Sequence, residues 1–417
     1  MKIILAHPGQ QHSFKVAAAL KRHDVLYRYF TAVYDKPSSI IMKLVHLIVK
    51  GDDVSKTAKR RCPALYDEDV ITYYTFWSLC VIVLSRFKHT KRLSYMLDRK
   101  IADWFGIKVA KYAIKHNVDA VICFSMNETK CFELLAKRAP HIKRIVDCAN
   151  SPVEYMRSIY DEDIARTGKS VLKQEVPSFW DEKELKKQKA GIKYTQFFLA
   201  PSFFVKKGLV YSGVNNNNIH VVHYGTNFVP LSSVRLNPPN DIVKFVYVGQ
   251  VTYRKGLHYL LDVFSKIKRN DIQLSVVGGW KPNSDLIEKY KDCKNIHFYG
   301  NVTHDKVKTI LCESDVFVFP SLTEGFSLSC LEAMSCGLPI ICSNNAGAND
   351  IVTDGVNGFT YNYEDKERLD YLINYMADNH EVHISMREQA LKTAKKNTWD
   401  NYATELRKTL MTIMRTN

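Results

Sequence analysis

Residues 317–339 read FVFPSLTEGFSLSCLEAMSCGLP, and this stretch decides the fold class. An apolar run ends at Pro320, a polar loop follows, and a helical pattern extends from about Ser327 to Gly337. A buried strand that leads through a short loop into a helix is the repeating unit of parallel α/β sheets. We therefore expect this loop at the carboxyl edge of such a sheet, where ligands bind.

The start of the predicted helix is a candidate anion site. The backbone N–H groups of Ser327 and Leu328, together with the helix dipole, suit a phosphate or a diphosphate. Glu332 would lie ~8 Å along the helix, where its carboxylate could accept hydrogen bonds from ribose hydroxyls. Glu324, in the loop, would point toward whatever lies beyond the phosphate. Any strand–loop–helix unit can carry two glutamates in these places, so the spacing alone leaves a structural role open.

Short apolar runs alternate with helical patterns along most of the chain. The predicted strands are Ile3–Ala6, Ala120–Phe124, Ile145–Asp147, Phe197–Ala200, His220–His223, Val243–Val248, Gln273–Val277, Asn295–Tyr299, Val316–Pro320 and Leu338–Cys342. The predicted helices include Phe14–Leu20, Val109–His116, Cys131–Arg138 and a helix after Gly256 whose apolar face is Leu257, Leu260, Leu261, Phe264 and Ile267. This alternation predicts an α/β protein with two doubly wound, Rossmann-like domains that face a central cleft.

A polar stretch at 230–240, rich in proline and asparagine, is the predicted linker. Such composition is typical of a connection between domains. The first domain is therefore predicted to span residues 1–235 and the second to span residues 236–399.

The loop after the first strand of the second domain carries further candidates. Residues 246–256 read VYVGQVTYRKG. Gly249 permits a close backbone approach, and Gln250 follows it. Arg254 and Lys255 can neutralise a diphosphate whose charge grows as a sugar leaves. A basic pair in a loop is by itself often only solvated surface.

The 317–339 stretch resembles the signature of retaining glycosyltransferases of family 4, the glycosyl transferases group 1. That signature is P-S-x-x-E-G-F-x-x-x-x-x-E-A-M-x-x-G-x-P, and every fixed residue of it is present from Pro320 to Pro339. Residues 246–256 are similar to the family's V-G-R-x-x-x-x-K-G loop, with Gln250 in place of the arginine and Arg254 as an added cation. The loop that follows downstream also resembles the family, with Asp350 where a glutamate is more usual.

This resemblance implies a fold, a donor and a set of roles. The implied fold is GT-B, in which a last helix, here about 400–417, crosses back onto the first domain. The implied donor is a nucleotide-diphosphate sugar, with no separate cofactor and no metal. The implied catalytic residues are Glu324, Arg254 and Lys255, and the implied donor-binding residues are Glu332, Ser327, Leu328, Gly325, Phe326, Gly249 and Gln250.

The first domain offers three candidates for the acceptor or sugar cleft. Gly9 and His12 lie in the loop between the first predicted strand and helix, which faces the cleft in such folds. His12 could equally be an ordinary loop histidine. Asn150 follows another predicted strand, about where many relatives carry a histidine that contacts the donor sugar, and it could substitute for that histidine.

The chain is strongly basic, with 59 Lys and Arg against 43 Asp and Glu among 417 residues, a formal charge of +16. Residues 1–130 hold 22 basic and 11 acidic residues, so most of the excess lies there. This charge predicts an anionic partner, which could be nucleic acid, a membrane surface or a phosphorylated substrate. Nucleic acid is not expected, because the basic residues form no compact stripe interleaved with aromatic residues and no known RNA-binding signature.

Two apolar segments with basic neighbours leave two interpretations open. Residues 71–85 carry no charge but fall short of the ~20 residues that a membrane-spanning helix needs. Basic residues follow at 86–100, and residues 40–50 form a similar segment. These segments suit helices that lie on anionic lipid headgroups. Core helices with a solvated basic face would give the same pattern.

Several signals argue against other classes. The ten cysteines never fall as C-x2-C, so neither a zinc site nor a redox motif is indicated, and most have apolar neighbours as in a reduced, cytoplasmic protein. The apolar start at 1–6 is too short for a signal-peptide core. The acidic runs 67–69 and 161–163 match D-x-D, a metal-binding signature of another glycosyltransferase fold, but neither follows a hydrophobic strand, and both are predicted to be charged turns.

The sequence thus favours a cytoplasmic retaining transferase with peripheral membrane contact. It would move a hexose-type sugar from a nucleotide-sugar donor to a saccharide or lipid-linked acceptor, in bacterial surface polysaccharide or lipopolysaccharide synthesis. Two alternatives stay open: a relative that binds a nucleotide sugar without transferring it, and a basic nucleic-acid-binding protein.

Overall fold

Two parallel β-sheets organise the residues that the computed structural model describes, which are 1–10, 12–48, 60–230, 242–282 and 284–416. The first sheet contains β1 (Ile3–Ala6), β2 (Leu26–Thr31), β3 (Val70–Thr72), β4 (Ala120–Phe124), β5 (Lys143–Asp147), β6 (Phe197–Ala200) and β7 (Ile219–Val221). The second contains β8 (Val243–Val248), β9 (Ile272–Val277), β10 (Ile296–Gly300), β11 (Val316–Phe319), β12 (Ile340–Ser343) and β13 (Gly358–Tyr361). The predicted pair of parallel sheets is confirmed.

Helices connect these strands and cover both sheets. Those that follow strands of the first sheet are α1 (Ser13–Arg22), α2 (Ile40–Ile48), α3 (Thr75–Leu84), α4 (Lys91–Lys115), α5 (Thr129–Arg138), α6 (Val153–Thr167), α7 (Val171–Glu175), α8 (Glu182–Tyr194) and α9 (Phe203–Tyr211). Those that follow strands of the second are α10 (Leu257–Phe264), α11 (Asp285–Tyr290), α12 (His304–Cys312), α13 (Leu328–Ser335), α14 (Lys366–Asp378), α15 (His380–Lys396) and α16 (Trp399–Arg415). No helix within the described ranges is both long and apolar enough to cross a lipid bilayer.

Both sheets have a central point at which the strand order reverses. The order is β3-β2-β1-β4-β5-β6-β7 in the first sheet and β10-β9-β8-β11-β12-β13 in the second. The central strands are apolar along their whole length, and every residue of β1, β4, β11 and β12 is buried, as expected for a parallel sheet with both faces covered. Loops at the carboxyl ends of β1, β4, β8 and β11 therefore lie at the switch points, where doubly wound sheets bind ligands.

The chain returns from the second half to the first at the start of the last helix. This helix, α16, packs on α1 of the first half, and Arg22 forms an ion pair with Asp400, so the predicted crossing back is confirmed. Beside the start of this helix, the backbone N–H of Thr226 donates to the carbonyl of Asn397 at 2.9 Å. Most of the predicted linker at 230–240 lies outside the described residues, so the boundary at 235 stays a prediction.

Several elements differ from the sequence-based expectations. The strands β2, β3 and β13 were not predicted, and α4 begins at Lys91, well before the expected start at Val109. The acidic run 161–163, predicted as a charged turn, lies inside helix α6. Asp163 is buried there, and its carboxylate accepts a hydrogen bond from the Tyr259 hydroxyl of the second half. The other acidic run, 67–69, forms a short 3-10 turn as expected.

Candidate active site

Two loops of the second half meet at its switch point. One follows β8 and carries residues 249–256, and the other follows β11 and carries residues 320–327. The Leu322 N–H donates to the carbonyl of Arg254 at 3.3 Å. Gly256 has a φ of +67°, and a Cβ there would lie 1.8 Å from the carbonyl oxygen of Pro320. Only glycine allows this conformation and this approach together, so the sequence Lys255-Gly256 fixes the Lys255 side chain near the second loop.

Lys255 and Glu324 form an ion pair between these two loops. Both side chains are largely buried, with exposed fractions of 12% and 18%. The Lys255 ammonium also lies 5.4 Å from the centre of the Phe319 ring. A cation and a carboxylate are thus held together at the carboxyl end of β11, within reach of the same bound group.

The Arg254 loop is attached to the first half of the chain. The backbone N–H groups of Tyr253 and Arg254 donate to the two carboxylate oxygens of Glu175, at 2.8 and 2.9 Å. Burial raises the pKa of Glu175, and these two hydrogen bonds oppose the shift. Arg254 also interacts with the hydroxyl of Tyr160, which contacts Thr323, and burial raises the pKa of Tyr160 to about 12. Helices α6 and α7 therefore cover the cationic loop from across the cleft.

Gly325 lies directly against the first half of the chain. Its N–H donates to the side-chain oxygen of Asn150 at 3.2 Å, and its carbonyl accepts from the Ser202 hydroxyl at 2.6 Å. A Cβ at Gly325 would lie 1.9 Å from the carbonyl oxygen of Ala149. The structure thus brings two predicted residues, Gly325 and Asn150, into direct contact.

Phe326 packs against the first half of the chain. Its ring is buried against the first half, stacked on His223 at 5.9 Å between ring centres and edge-on to Tyr224 at 5.8 Å. Phe326, a predicted donor-binding residue, therefore packs at the contact between the two halves.

A cleft of about 480 Å³ lies between the halves, next to the start of α13. Its walls include Leu328 and Glu332 from the second half, and His12 and Trp399. Glu332 is partly buried, and its burial raises the pKa of its carboxyl against the opposing charges of His304 and Lys308. Ser327 precedes the helix in an extended conformation and is buried. The helix start and Glu332 therefore border the same space, as the sequence predicts.

His12 belongs to a hydrogen-bonded group in that cleft. Its Nε2 lies 2.9 Å from a carboxylate oxygen of Asp147 and 2.8 Å from the hydroxyl of Tyr224, which itself donates to Asp147 at 3.0 Å. Asp147 is buried at the carboxyl end of β5. The arrangement fixes the imidazole ring at the cleft wall.

Of the remaining predicted residues, Gly249 and Gln250 lie in the loop after β8 and Gly9 lies in the first half. The Tyr247 hydroxyl donates to the carbonyl of Gln250 at 2.8 Å, and a Cβ on Gly249 would come within 2.7 Å of that hydroxyl. Gly249 and Gln250 thus shape the start of the cationic loop. Gly9 borders a separate cavity of about 230 Å³ in the first half, and not the 480 Å³ cleft.

Sequence reasoning missed four residues of this region: Asp147, Tyr160, Glu175 and Tyr224. Tyr160 and Glu175 lie in helices that carry no motif, and their partners are more than 70 positions away. For Asp147 a signal was present, because a carboxylate at the carboxyl end of a buried strand stands where such sheets place functional groups.

The sequence matches a known family over part of its length. Residues 231–396 match the model of the family described as Glycosyl transferases group 1, so the resemblance to that group is confirmed for this segment. The O-antigen biosynthesis glycosyltransferase WbnH of Escherichia coli is 30% identical over 198 residues, which cover 48% of this chain and 54% of that protein. The chain spans about half the length of the curated relatives it matches.

Solved structures resemble the whole chain. The apo form of the lipopolysaccharide outer core galactosyltransferase WaaB superimposes with a TM-score of 0.65 at 16% identity, over 99% of this chain and all of the other. The Anabaena protein HepE in complex with UDP-glucose superimposes with a TM-score of 0.60 at 13% identity, again over 99% of this chain and all of the other. At these identities the likeness establishes the fold alone, and that fold is GT-B.

Proposed function

We propose that this protein is a glycosyltransferase that moves a hexose-type sugar from a nucleotide-diphosphate sugar to a saccharide or lipid-linked acceptor, with retention of the anomeric configuration. The acceptor would belong to bacterial surface polysaccharide or lipopolysaccharide, and the basic first domain would hold it at a cytoplasmic membrane surface. WbnH carries an O-antigen name, and the HepE structure contains UDP-glucose, which is consistent with this class of donor and product.

One observation carries the proposal. Lys255 and Glu324 pair between the loops that follow β8 and β11, and the Arg254 carbonyl is bonded to the second of these loops. Leu328 and Glu332, on the helix that follows the second loop, border the cleft. A donor would place its ribose at Glu332, its diphosphate at the cationic loop and the start of α13, and its sugar near Glu324. Charge complementarity accounts for the diphosphate placement, because α13 begins with N–H groups that point outward and the loop adds two cations. Hydrogen bonds from the ribose hydroxyls to the Glu332 carboxylate account for the ribose placement.

The chemistry follows from where charge develops. As the bond between the sugar C1 and the phosphate oxygen breaks, negative charge grows on the leaving diphosphate, and Arg254 and Lys255 stabilise it. The acceptor hydroxyl attacks C1 from the same face, and its proton passes to the departing phosphate oxygen. The new bond then has the anomeric configuration of the old one. In this proposal the two cations and the helix start take the role that a metal ion has in other transferases.

A donor panel tests the proposal. UDP, GDP, ADP and CMP sugars are scored by thermal shift and by slow donor hydrolysis. We expect one donor class to stabilise the wild type, and Glu332→Ala and Arg254→Ala/Lys255→Ala to lose that effect. The exposed Glu313→Ala and Lys291→Ala/Lys294→Ala are the matched controls and should keep it.

Each other outcome has a defined meaning. If no donor binds, or if the substitutions of these residues leave donor binding unchanged, the proposed site is wrong. Binding without hydrolysis, and without transfer to any saccharide, would identify a nucleotide-sugar-binding relative instead. Salt-dependent binding of RNA in place of a nucleotide sugar would favour the nucleic-acid alternative.

A further inference from the structure

Helix α3 is the most unusual surface element of the molecule. Its sequence, TFWSLCVIVL, contains no charged residue, yet Thr75 is its only buried residue. A surface helix of a globular protein normally buries an apolar stripe and exposes a polar one. Here Phe76, Trp77 and Val83 are each at least half exposed. The helix therefore presents apolar side chains that no other part of the described chain covers.

The exposed apolar side chains continue onto the neighbouring elements. Phe87, in the turn after α3, is 59% exposed, and Leu93 and Met96 at the start of α4 are 57% and 51% exposed. The hydroxyl of Ser94 on α4 donates to the carbonyl of Val81 on α3 at 3.0 Å, so the two helices are in direct contact. We call Phe76, Trp77, Val83, Phe87, Leu93 and Met96 the apolar surface. Monomeric soluble proteins rarely expose an apolar area of this kind without a partner.

Cations accompany the apolar surface, and acidic residues are absent from the same stretch of sequence. Arg86, Lys88, Lys91 and Arg92 are all exposed. Residues 70–97 contain no Asp or Glu. A second copy of this chain would bring these cations against one another in a symmetric contact, which opposes dimerisation through this surface. An anionic partner avoids that repulsion.

The composition identifies the kind of anionic partner. Tryptophan and phenylalanine next to lysine and arginine are typical of segments that lie at the headgroup level of a bilayer, where the rings enter the acyl boundary and the cations contact lipid phosphates. We infer that the apolar surface and its four cations dock on an anionic lipid bilayer.

The position of the surface connects this docking with the cleft. Behind α3 lies the 230 Å³ cavity, which Gly9, Arg60, Ser78, Ile82 and Asp98 border. Gly9 follows β1, so this cavity lies at the carboxyl edge of the first sheet, the edge on which the active-site cleft opens. Docking through α3 therefore brings a lipid headgroup close to the proposed acceptor side. This consequence rests on the proposed function, whereas the docking itself does not.

Vesicle co-sedimentation tests the docking. We expect the full chain to bind vesicles of phosphatidylglycerol and phosphatidylethanolamine and not vesicles of phosphatidylcholine. Arg86→Gln/Lys88→Gln should weaken binding by about 30-fold, since each cation near an anionic surface contributes roughly a fivefold factor. Phe76→Ser/Trp77→Ser should also weaken it. Lys392→Gln/Lys395→Gln and Tyr371→Ser, exposed on the second half, should bind like the wild type.

Three results would overturn the inference. They are equal binding to both kinds of vesicle, unchanged binding of the Phe76→Ser/Trp77→Ser variant, and a micromolar dimer of the wild type that this variant abolishes. The donor-hydrolysis assay keeps the two proposals apart, because the docking variants should hydrolyse donor at the wild-type rate. We expect those variants to lose vesicle binding and to keep donor hydrolysis. If the wild type bound vesicles but no donor, only the transferase proposal would be refuted.

Discussion

Gly325→Ala is expected to reduce turnover while leaving both halves folded. The Cβ of alanine would lie 1.9 Å from the Ala149 carbonyl oxygen, so the two groups must separate by more than an ångström to reach a normal contact. Such a separation breaks the hydrogen bonds that Gly325 makes with Asn150 and Ser202. At about 1 kcal/mol for each bond, the approach of the two halves is weakened by about 2 kcal/mol, which corresponds to about a 30-fold lower ratio of the closed to the open form.

The assay is donor turnover with the nucleotide sugar that the panel selects. We expect kcat/KM to fall by about 30-fold while the melting temperature stays close to that of the wild type, because the contact lies between the halves and outside their cores. Small-angle scattering should show a larger radius of gyration. Glu313→Ala is the control, because this side chain is exposed on the second half. Wild-type kcat/KM in Gly325→Ala would refute the reasoning, since it would mean that the working enzyme does not keep this contact.

Three further changes have defined outcomes. Arg387→Ala removes a cationic partner of the buried Asp315 and should lower the free energy of unfolding in urea by about 3–5 kcal/mol, whereas the same change at the partly exposed Arg269 should cost less than about 1 kcal/mol; equal effects would contradict this. Burial raises the pKa of Glu128 from 4.5 to about 7, so the folded protein holds a proton that the unfolded chain releases, and stability should fall as the pH rises between those values. Glu128→Gln should remove this pH dependence and raise the free energy of unfolding by up to about 3 kcal/mol at pH 8. Urea titrations at pH 5 and pH 8 would detect the change, and an unchanged pH profile would contradict the prediction. Gly256→Ala, at a φ of +67°, should destabilise the second half by at least about 1–2 kcal/mol and abolish donor thermal shifts, and a normal shift would show that the two loops need not touch.

The central strands could be predicted because burial on both faces gives them unbroken apolar sequences. β1, β4, β6 and β8 begin and end at the expected residues. Strand β2 could not be predicted, because Arg28 interrupts its apolar sequence and its first three residues are only partly buried. The two other missed strands are short, and one of them, β13, begins with a glycine.

The candidate site likewise contains parts that the sequence could predict and parts that it could not. The motif around Glu324 and Glu332 is local, so spacing along the chain predicted the loop and the helix that carry them. The contact of Glu175 with the Arg254 loop joins residues 79 positions apart and has no local signal. The sequence also could not predict that α3 is exposed, because an apolar helix has the same composition whether it faces a core or a bilayer. Only the packing around the helix distinguishes these two cases.

The contact between Thr226 and Asn397 limits how the cleft can open. A free connecting chain would let two bodies rotate about any axis, whereas a connection bonded to the chain beside it resists twisting more than bending. A side chain at Gly225 would collide with the backbone of Thr398, at 2.1 Å from its carbonyl carbon, so these two segments cannot slide past each other freely. We therefore expect opening and closing to follow one hinge axis through Gly225 and Thr398. One pair of fluorescent labels across the cleft would then suffice to follow the whole movement.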